Sequence, residues 1–204
     1  MLFDDTYKTI TNISEGIYKE KGSKFLSFAF PVKNENEVKL ILADLRKKYY
    51  DARHHCYAYV LGFDKSAFRI NDDGEPSGTA GRPIYGQILS FDLTNILIVV
   101  IRYFGGTKLG VSGLINAYKT SAHDAITNNI IQTKIVHETY EITFDYLQMN
   151  NVMKLLKDEN LNNFDHNFEE ICKLKFSVRK KLSDDIINKF KKISGIKIEY
   201  ILTE

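Results

Sequence analysis

Two adjacent glycines, Gly105 and Gly106, follow an apolar run in the stretch RYFGGTKLGVSGL, which begins at Arg102. The preceding NILIVVI predicts a buried strand, and the residues after the glycines predict a helix that begins near Ser112. Glycine lets a ligand approach the backbone, and the free N–H groups of a helix N-terminus favour anions. With Arg102 and Lys108 beside it, this junction predicts an anion site. A tight strand-to-helix connection without a ligand is the alternative.

The stretch ARHHCYAYV, residues 52–60, predicts a strand with two different faces. Because side chains alternate along a strand, Arg53, His55, Tyr57 and Tyr59 share one face, and small residues share the other. Basic and aromatic side chains together suit a platform that stacks bases and touches phosphates. The alternative is that the tyrosines pack under a helix and that Arg53 alone of this set reaches water.

The pair His54 and His55, followed by Cys56, does not predict a zinc site. Adjacent strand residues point to opposite faces, so the two histidines cannot both bind one ion. No second Cys/His pair follows at zinc-finger spacing, and Cys172 lies far along the chain. The sequence therefore predicts no structural zinc site, and no metal ligand and no cofactor are assigned.

A polar, glycine-rich loop, NDDGEPSGTAGRP, carries three acidic residues: Asp72, Asp73 and Glu75. Near His54 or His55, such carboxylates could perform acid–base chemistry or hold a divalent cation. The chain has none of the common nucleophile signatures, so no catalytic residue is assigned and a binding protein is favoured over an enzyme.

The same loop has uses that require no catalysis. Its hydroxyl side chains, Ser77 and Thr79, could bind a ligand, and its acids could instead anchor Arg82 or Arg102. The loop is longer than an ordinary hairpin turn, which favours a functional loop over a simple connection.

Composition excludes several classes of protein. The 204 residues are 44% hydrophobic with a net charge of +2, so there is no global attraction to nucleic acid, and a local patch would have to provide it. The longest aliphatic run, residues 96–101, is far shorter than the roughly 20 residues that span a bilayer. Two distant cysteines and an N-terminus unlike a signal peptide predict a soluble protein of the reducing cytoplasm, without membrane association.

The pattern of elements predicts an α+β protein of two domains, residues 1–134 and 137–204. Two strands joined at Lys21–Lys24 precede a helix with Asn34 as N-cap and Glu37 three residues later. The second domain predicts a ferredoxin-like βαββαβ order. Its elements are strand 138–144, helix 147–159, strand 163–169, strand 171–179, helix 183–193 and strand 195–202.

Four motifs, in this order, resemble the YigZ/IMPACT family: KGSKF, ARHHCYAY, NDDGEPSGTAGRPI and VVIRYFGGTKLG. The resemblance covers residues 15–130, and its matching positions are Lys21, Ser23 and Lys24, residues 53–56, 72–81 and 102–110. Two positions depart from the family pattern: Ser112 stands where glycine is usual, and Asn116 stands where a basic residue is common.

The resemblance implies a first domain with the α+β fold seen in the second domain of a ribosomal small-subunit protein. It implies a second domain similar to a C-terminal domain of elongation factor G. Eukaryotic relatives restrain, through a protein partner, the kinase that shuts down translation initiation during starvation. For the short bacterial form, the family suggests association with nucleic acid or the ribosome.

From motifs and resemblance together, we predict an RNA- or ribosome-associated protein with a role in the regulation of translation, which binds through a basic groove in the first domain. A protein partner in translational control is a further expectation. The alternatives are a metal-dependent hydrolase or phosphotransferase in the same groove, and a protein-interaction module without nucleic acid. The predicted ligand-binding residues are Lys24, Arg53, His55, Tyr57, Ser77, Thr79, Arg102, Gly105, Gly106 and Lys108.

Overall fold

The computed structural model describes residues 5–204, which form two compact units. The first unit comprises residues 7–134, and the second comprises Asp5, Thr6 and residues 135–204. The predicted first domain, 1–134, differs from this division at Asp5 and Thr6, and its first four residues lie outside the described part of the chain.

The elements between Thr6 and Ile135 alternate strands with three helices. In chain order they are β1 (Thr6–Ile10), β2 (Ser14–Glu20), β3 (Ser23–Pro31), α1 (Glu35–Lys48), β4 (His54–Leu61), β5 (Ala67–Asn71), α2 (Gly81–Ser90), β6 (Ile96–Tyr103), α3 (Gly110–Thr127) and β7 (Ile131–Ile135). Strands β2–β6 form an antiparallel sheet in the order β2-β3-β6-β4-β5, and β1 pairs with β7.

Strand β6 lies at the centre of this sheet and is buried on both faces, as its continuous apolar run predicts. Ile98 and Val100 pack in a core that includes residues of α2 and α3, while Leu97 and Val99 pack in a second core with α1. The first unit is therefore a sheet with helices on both faces, and the end of β6 emerges between its two cores.

Helix α1 begins as the sequence predicts. The side chain of Asn34 accepts a hydrogen bond of 3.0 Å from the backbone N–H of Glu37. The carboxylate of Glu37 accepts one of 2.8 Å from the N–H of Lys33, so two otherwise free N–H groups are satisfied at this end. Val38, Leu42 and Leu45 form the buried stripe.

Helix α3 buries the predicted side, which includes Leu114, Ala117, Tyr118 and Ala122. It begins at Gly110, two residues before the predicted start near Ser112. Asn116 consequently lies in the second turn rather than the first, so its lack of charge matters less at the helix N-terminus than the sequence suggested.

The turn between β2 and β3 consists of Lys21 and Gly22, both of which have positive φ, 46° and 81°. Two left-handed residues match the twist of an antiparallel pair, as in the preferred two-residue hairpin. The predicted hairpin is confirmed.

The second unit contains β8 (His137–Asp145), α4 (Met149–Asp158), β9 (Asn162–Phe168), β10 (Ile171–Arg179), α5 (Ser183–Phe190) and β11 (Lys197–Thr203). Its antiparallel sheet has the order β11-β8-β10-β9, and residues of both helices share its apolar core. The predicted ferredoxin-like order is confirmed, because the alternating apolar residues and two amphipathic helices are read directly from the sequence.

Within residues 5–204, no helix combines the length and the apolar character that crossing a bilayer requires.

Asp5 is bound firmly into the second unit. Its buried carboxylate accepts hydrogen bonds from Arg179, at 2.6 Å from Nε and 2.8 Å from a terminal nitrogen, and one of 3.2 Å from the N–H of Lys181. The hydrogen bond from Arg179 lowers the pKa of Asp5 from 3.8 to about 2. A bidentate pair of this kind holds the chain segment at Asp5 against the end of β10.

We expect this pair to make the second unit sensitive to acid. Because the pKa of Asp5 is lower in the folded state, its contribution is fully present above about pH 4 and disappears as the pH falls toward about 2. Asp5→Asn should lower the urea midpoint of the second unit at about pH 6, and the difference from wild type should shrink at about pH 2.5. The amide signals of β10 would report this midpoint by NMR. Asp158→Asn, on an exposed residue of α4, is the control, and an equal effect of both variants would contradict the assignment.

Candidate functional site

A cleft of about 450 Å³ opens in the first unit where β6 ends and α3 begins. One side is the start of β4 with part of the loop NDDGEPSGTAGRP (residues 71–83), hereafter the acidic loop. The other side is the segment from Phe104 to the first turns of α3. Its lining residues are Arg53, His54, Glu75, Pro76, Arg102, Phe104, Lys108, Leu109, Gly110, Val111 and Leu114.

Three of the predicted ligand-binding residues meet in this cleft: Arg53, Arg102 and Lys108. Arg53 and Lys108 are exposed. The cleft lies between the segment after β6 and the acidic loop, and Glu75 and Pro76 are the members of that loop that line it.

The other predicted residues lie away from the lining. Lys24 is half-buried on β3, Ser77 is exposed, and Thr79 is buried with its hydroxyl donating to the Pro76 carbonyl at 2.7 Å. Gly105 and Gly106 are exposed beside the cleft but are not among its lining residues.

The predicted stacking platform on β4 is wrong. Tyr57 and Tyr59 are only 6% and 4% exposed, because α1 covers that face of the sheet. The Tyr59 hydroxyl donates to Glu35 at 2.7 Å, and the two rings stack on each other with centroids 6.5 Å apart. His55 is buried as well, and burial lowers the pKa of its imidazole. A ligand cannot reach these side chains without moving α1.

Arg102 is buried and its charge is already paired. One terminal nitrogen of its guanidinium lies 2.6 Å from Oε1 of Glu75, and its central carbon lies 5.5 Å and 5.6 Å from the ring centroids of Phe25 and Phe104. Its Nε has no hydrogen-bond partner among the described residues. Because both charges are buried, removal of either partner would leave the other charge unpaired and would strongly destabilise the fold.

The Glu75 carboxylate connects this pair to α3. Oε1 also accepts a hydrogen bond of 2.8 Å from the Tyr118 hydroxyl, which in turn lies 3.3 Å from the Cys56 sulfur. Burial raises the pKa of both the Tyr118 hydroxyl and the Cys56 thiol, so both groups stay protonated and Tyr118 remains a donor to Glu75. This network joins β4, the acidic loop, β6 and α3 under the cleft.

Asp72 satisfies the N-terminus of α2. Its two carboxylate oxygens accept hydrogen bonds from the N–H groups of Gly78, Ala80 and Gly81, at 2.8–3.0 Å. An anion at this place is stabilised by both the free N–H groups and the helix dipole. Asp72 thus acts as the resident anion of α2.

Asp73 also serves the architecture of the loop. Its carboxylate accepts a hydrogen bond of 2.6 Å from the backbone N–H of His55 and lies 3.5 Å from Arg46. Its backbone carbonyl lies 2.8 Å from Nδ1 of His54. In residues 5–204, no cluster of three or more His, Cys, Asp or Glu side chains is arranged to hold a metal ion.

The N-terminus of α3 differs from that of α2. The residue before it, Leu109, has no side-chain acceptor, and the first turn carries no acidic residue. Gly110 and Val111 line the cleft, so this positive end of an 18-residue helix borders the same space as Arg53 and Lys108.

Sequence reasoning missed Phe104, a residue that is 54% exposed and lines the cleft. A signal was available, because Tyr103 and Phe104 are adjacent at the end of a strand and must point in opposite directions. Tyr103 packs with the core under α1, so Phe104 turns to the other side. The same alternation brings His54, rather than His55, to the cleft.

Gly105 is required for packing. Its N–H donates to the Ser23 hydroxyl at 3.2 Å, and a Cβ atom there would lie 1.9 Å from the carbonyl carbon of Gly22. Gly105 therefore packs closely against the hairpin turn between β2 and β3. The neighbouring Gly106 has a φ of +88°, a left-handed conformation that glycine adopts without strain.

Gly105→Ala should destabilise the first unit by about 1–3 kcal/mol or more, because the added carbon overlaps backbone atoms that cannot rotate away. Thermal or urea unfolding measures the loss. Gly86→Ala is the matched control: it lies in α2 with open space around it, and the helix propensity of alanine should stabilise it by up to about 1 kcal/mol. Equal stability of the two variants would refute the packing role.

Glu75→Gln should cost about 3–5 kcal/mol of unfolding free energy, because it leaves the buried charge of Arg102 without compensation. The double variant Glu75→Gln/Arg102→Met removes both charges and should recover much of that loss. Urea unfolding of wild type, the single variants Glu75→Gln and Arg102→Met, and the double variant forms a double-mutant cycle. Glu15→Gln, on an exposed residue of β2, should stay within about 0.5 kcal/mol of wild type. A Glu75→Gln variant as stable as this control would contradict the coupling.

Comparison with known proteins shows that the cleft lies within a domain of a known family. Residues 21–126 match the model of the Impact N-terminal domain, a range that includes every lining residue. The chain is 34% identical over 138 residues to the IMPACT family member YigZ of Escherichia coli, covering 67% of this chain and 68% of that protein. It is 34% identical over 143 residues to the IMPACT family member YvyE of Bacillus subtilis, covering 68% and 66%. The matches thus span about two thirds of each relative's length.

A solved structure, described as a crystal structure of a hypothetical protein, is similar over nearly the whole chain. The TM-score is 0.73 at 25% sequence identity, with 98% of this chain and 99% of that chain covered.

Proposed function

Because this chain belongs to the IMPACT family, we propose that it is an RNA- or ribosome-associated protein with a role in the regulation of translation. The cleft beside α3 is the proposed contact surface. The observation that carries the proposal is that two exposed cations, Arg53 and Lys108, line the same cleft as the N-terminus of α3.

The charges around the cleft leave a positive surplus. Glu75 compensates Arg102, whereas neither Arg53 nor Lys108 forms a salt bridge within the described residues. The helix dipole adds roughly half a positive charge at the N-terminus of α3. Such a surplus suits phosphate oxygens, which supply most of the affinity of proteins for nucleic acids.

The apolar part of the cleft suits a base. Phe104 is exposed, and Leu109 and Val111 lie in the same lining. Bases stack on aromatic side chains regardless of their identity, which is typical of proteins that bind single strands without sequence preference. Phe104 thus replaces Tyr57 as the proposed stacking residue.

The geometry favours binding over hydrolysis. A metal-dependent hydrolase in this cleft would draw on Asp72, Asp73 and Glu75, and each of these carboxylates is held by hydrogen bonds within the unit. The link to translation rests on the family resemblance, which also suggests a protein partner in translational control. The proposed setting is the reducing cytoplasm, in keeping with the free, buried thiols of Cys56 and Cys172.

Titration of a fluorescent single-stranded RNA at several salt concentrations tests this proposal. Arg53→Gln/Lys108→Gln should bind more weakly than wild type and should flatten the plot of log affinity against log salt by about 1.4, since each lost contact with a single strand removes about 0.7. Both side chains are exposed, so the fold should be kept, which circular dichroism would verify.

The control variant, Lys39→Gln/Lys47→Gln, removes the same charge from exposed positions of α1, on the opposite face of the sheet. It should retain the wild-type slope. If both double variants lose affinity equally, binding depends on net charge alone and the cleft is not the contact surface. If wild-type protein does not bind RNA or ribosomes, the proposed function fails.

A further inference from the structure

We propose that the cleft beside α3 binds one nucleoside phosphate unit, with its phosphate on the first turn of α3 and its base against Phe104. This inference rests on the proposed function and names the ligand of the same site. The unit is either a free mononucleotide or the terminal nucleotide of a strand, and both present the same chemistry to the cleft.

The first turn of α3 is built to receive an anion that the protein itself does not supply. At α2, Asp72 already occupies the equivalent place and accepts hydrogen bonds from the N–H groups of Gly78, Ala80 and Gly81. At α3, the first turn, GVSG, has no acidic residue, and Gly110 adds no side chain that would cover the N–H groups. A phosphate at this end would satisfy the helix as Asp72 satisfies α2.

Arg102 provides an independent indication of a ligand. Its side chain is 7% exposed and lines the cleft, yet its Nε has no hydrogen-bond partner within residues 5–204. Buried polar groups are almost always satisfied, so an unpaired buried donor beside a cavity indicates an acceptor that arrives with a ligand. Glu75 holds the guanidinium in place, so the donor is oriented before the ligand binds.

The base is assigned to Phe104 because this ring is an exposed aromatic in the lining. The guanidinium of Arg102 lies 5.6 Å from its centroid and restricts its position, while 54% of the residue remains exposed. Leu109 and Val111 extend the apolar surface toward α3. Phosphate-binding and base-binding groups therefore lie within one cleft.

The size of the cleft limits the ligand to one unit. Its volume of about 450 Å³ lies in the range of roughly 300–1,000 Å³ that is typical of small-molecule sites. Grooves that follow a strand hold about 4–16 nucleotides per binding fold. A run of backbone would extend beyond the cleft, whereas one nucleotide would place its phosphate and base on the two groups described above.

Calorimetric titration of the full chain with three probes tests the inference: adenosine 5′-monophosphate, adenosine and inorganic phosphate. The monophosphate should bind at least tenfold more tightly than either fragment, because it alone engages both ends of the cleft. Phe104→Ala should weaken the monophosphate at least fivefold and leave inorganic phosphate unchanged.

Val111→Asp is the second variant. A carboxylate in the first turn of α3 should stabilise the helix while it repels the ligand phosphate, so loss of binding cannot be ascribed to unfolding. It should abolish binding of the monophosphate. Leu40→Asp makes a comparable change at an exposed position of α1 and should bind like wild type.

The source of the unit is decided by two RNA strands of the same sequence, one with a 5′-phosphate and one with a 5′-hydroxyl. A preference for the phosphorylated strand, abolished by excess monophosphate, identifies a strand end. Binding of the monophosphate without binding of either strand identifies a free nucleotide, and the proposed RNA function then fails while this inference stands.

The opposite result is equally distinct. If RNA binds with the salt dependence expected for Arg53 and Lys108, but the monophosphate neither binds nor competes and Phe104→Ala has no effect, the single-unit inference is overturned and the RNA proposal stands. If no probe binds, both are overturned.

Discussion

The buried pair of Arg102 and Glu75 is the interaction on which the first unit depends most. Arg102 comes one residue before the end of the central strand β6, where the apolar core ends and a charge cannot remain unpaired. Its partner comes from a loop 27 residues earlier in the chain, so pairing draws that loop across the end of the sheet. Tyr118 joins the same carboxylate from α3. The wall of the cleft is thus set by a requirement to neutralise one buried guanidinium.

Each of the three acidic residues of this loop has a structural partner within the unit. Glu75 is committed to Arg102, Asp72 to the N-terminus of α2, and Asp73 to the backbone of β4. All three negative charges of the loop therefore stabilise the fold. The N-terminus of α3 and the exposed Arg53 and Lys108 keep a positive charge that the loop does not cancel, in a chain that is nearly neutral overall.

The second unit is stabilised by a different arrangement. Its core is formed by one face of the sheet and the apolar sides of α4 and α5. Asp5 adds a segment from the beginning of the chain through its bidentate pair with Arg179 and through its backbone carbonyl, which accepts a hydrogen bond of 2.7 Å from Val136. Both units therefore use a buried carboxylate to bind a segment that is distant in sequence.

Local patterns in the sequence were sufficient to predict α1, β6, α3 and the βαββαβ order of the second unit, because apolar periodicity and helix caps are properties of neighbouring residues. The motifs whose residues line the cleft could also be recognised in the sequence. The short strands β1, β5 and β7 were not predicted, because a few residues carry too weak a pattern.

Tertiary structure alone decided which faces are covered and which charges are paired. Alternation placed Tyr57 and Tyr59 on one face of β4, but only the docking of α1 buried that face. In the acidic loop, the sequence contains three acids that could pair with several cations. Only the folded structure shows that Glu75 pairs with Arg102, and that Arg53 and Lys108 form no salt bridge among the described residues. Such choices depend on contacts between residues far apart in the chain, which no local pattern records.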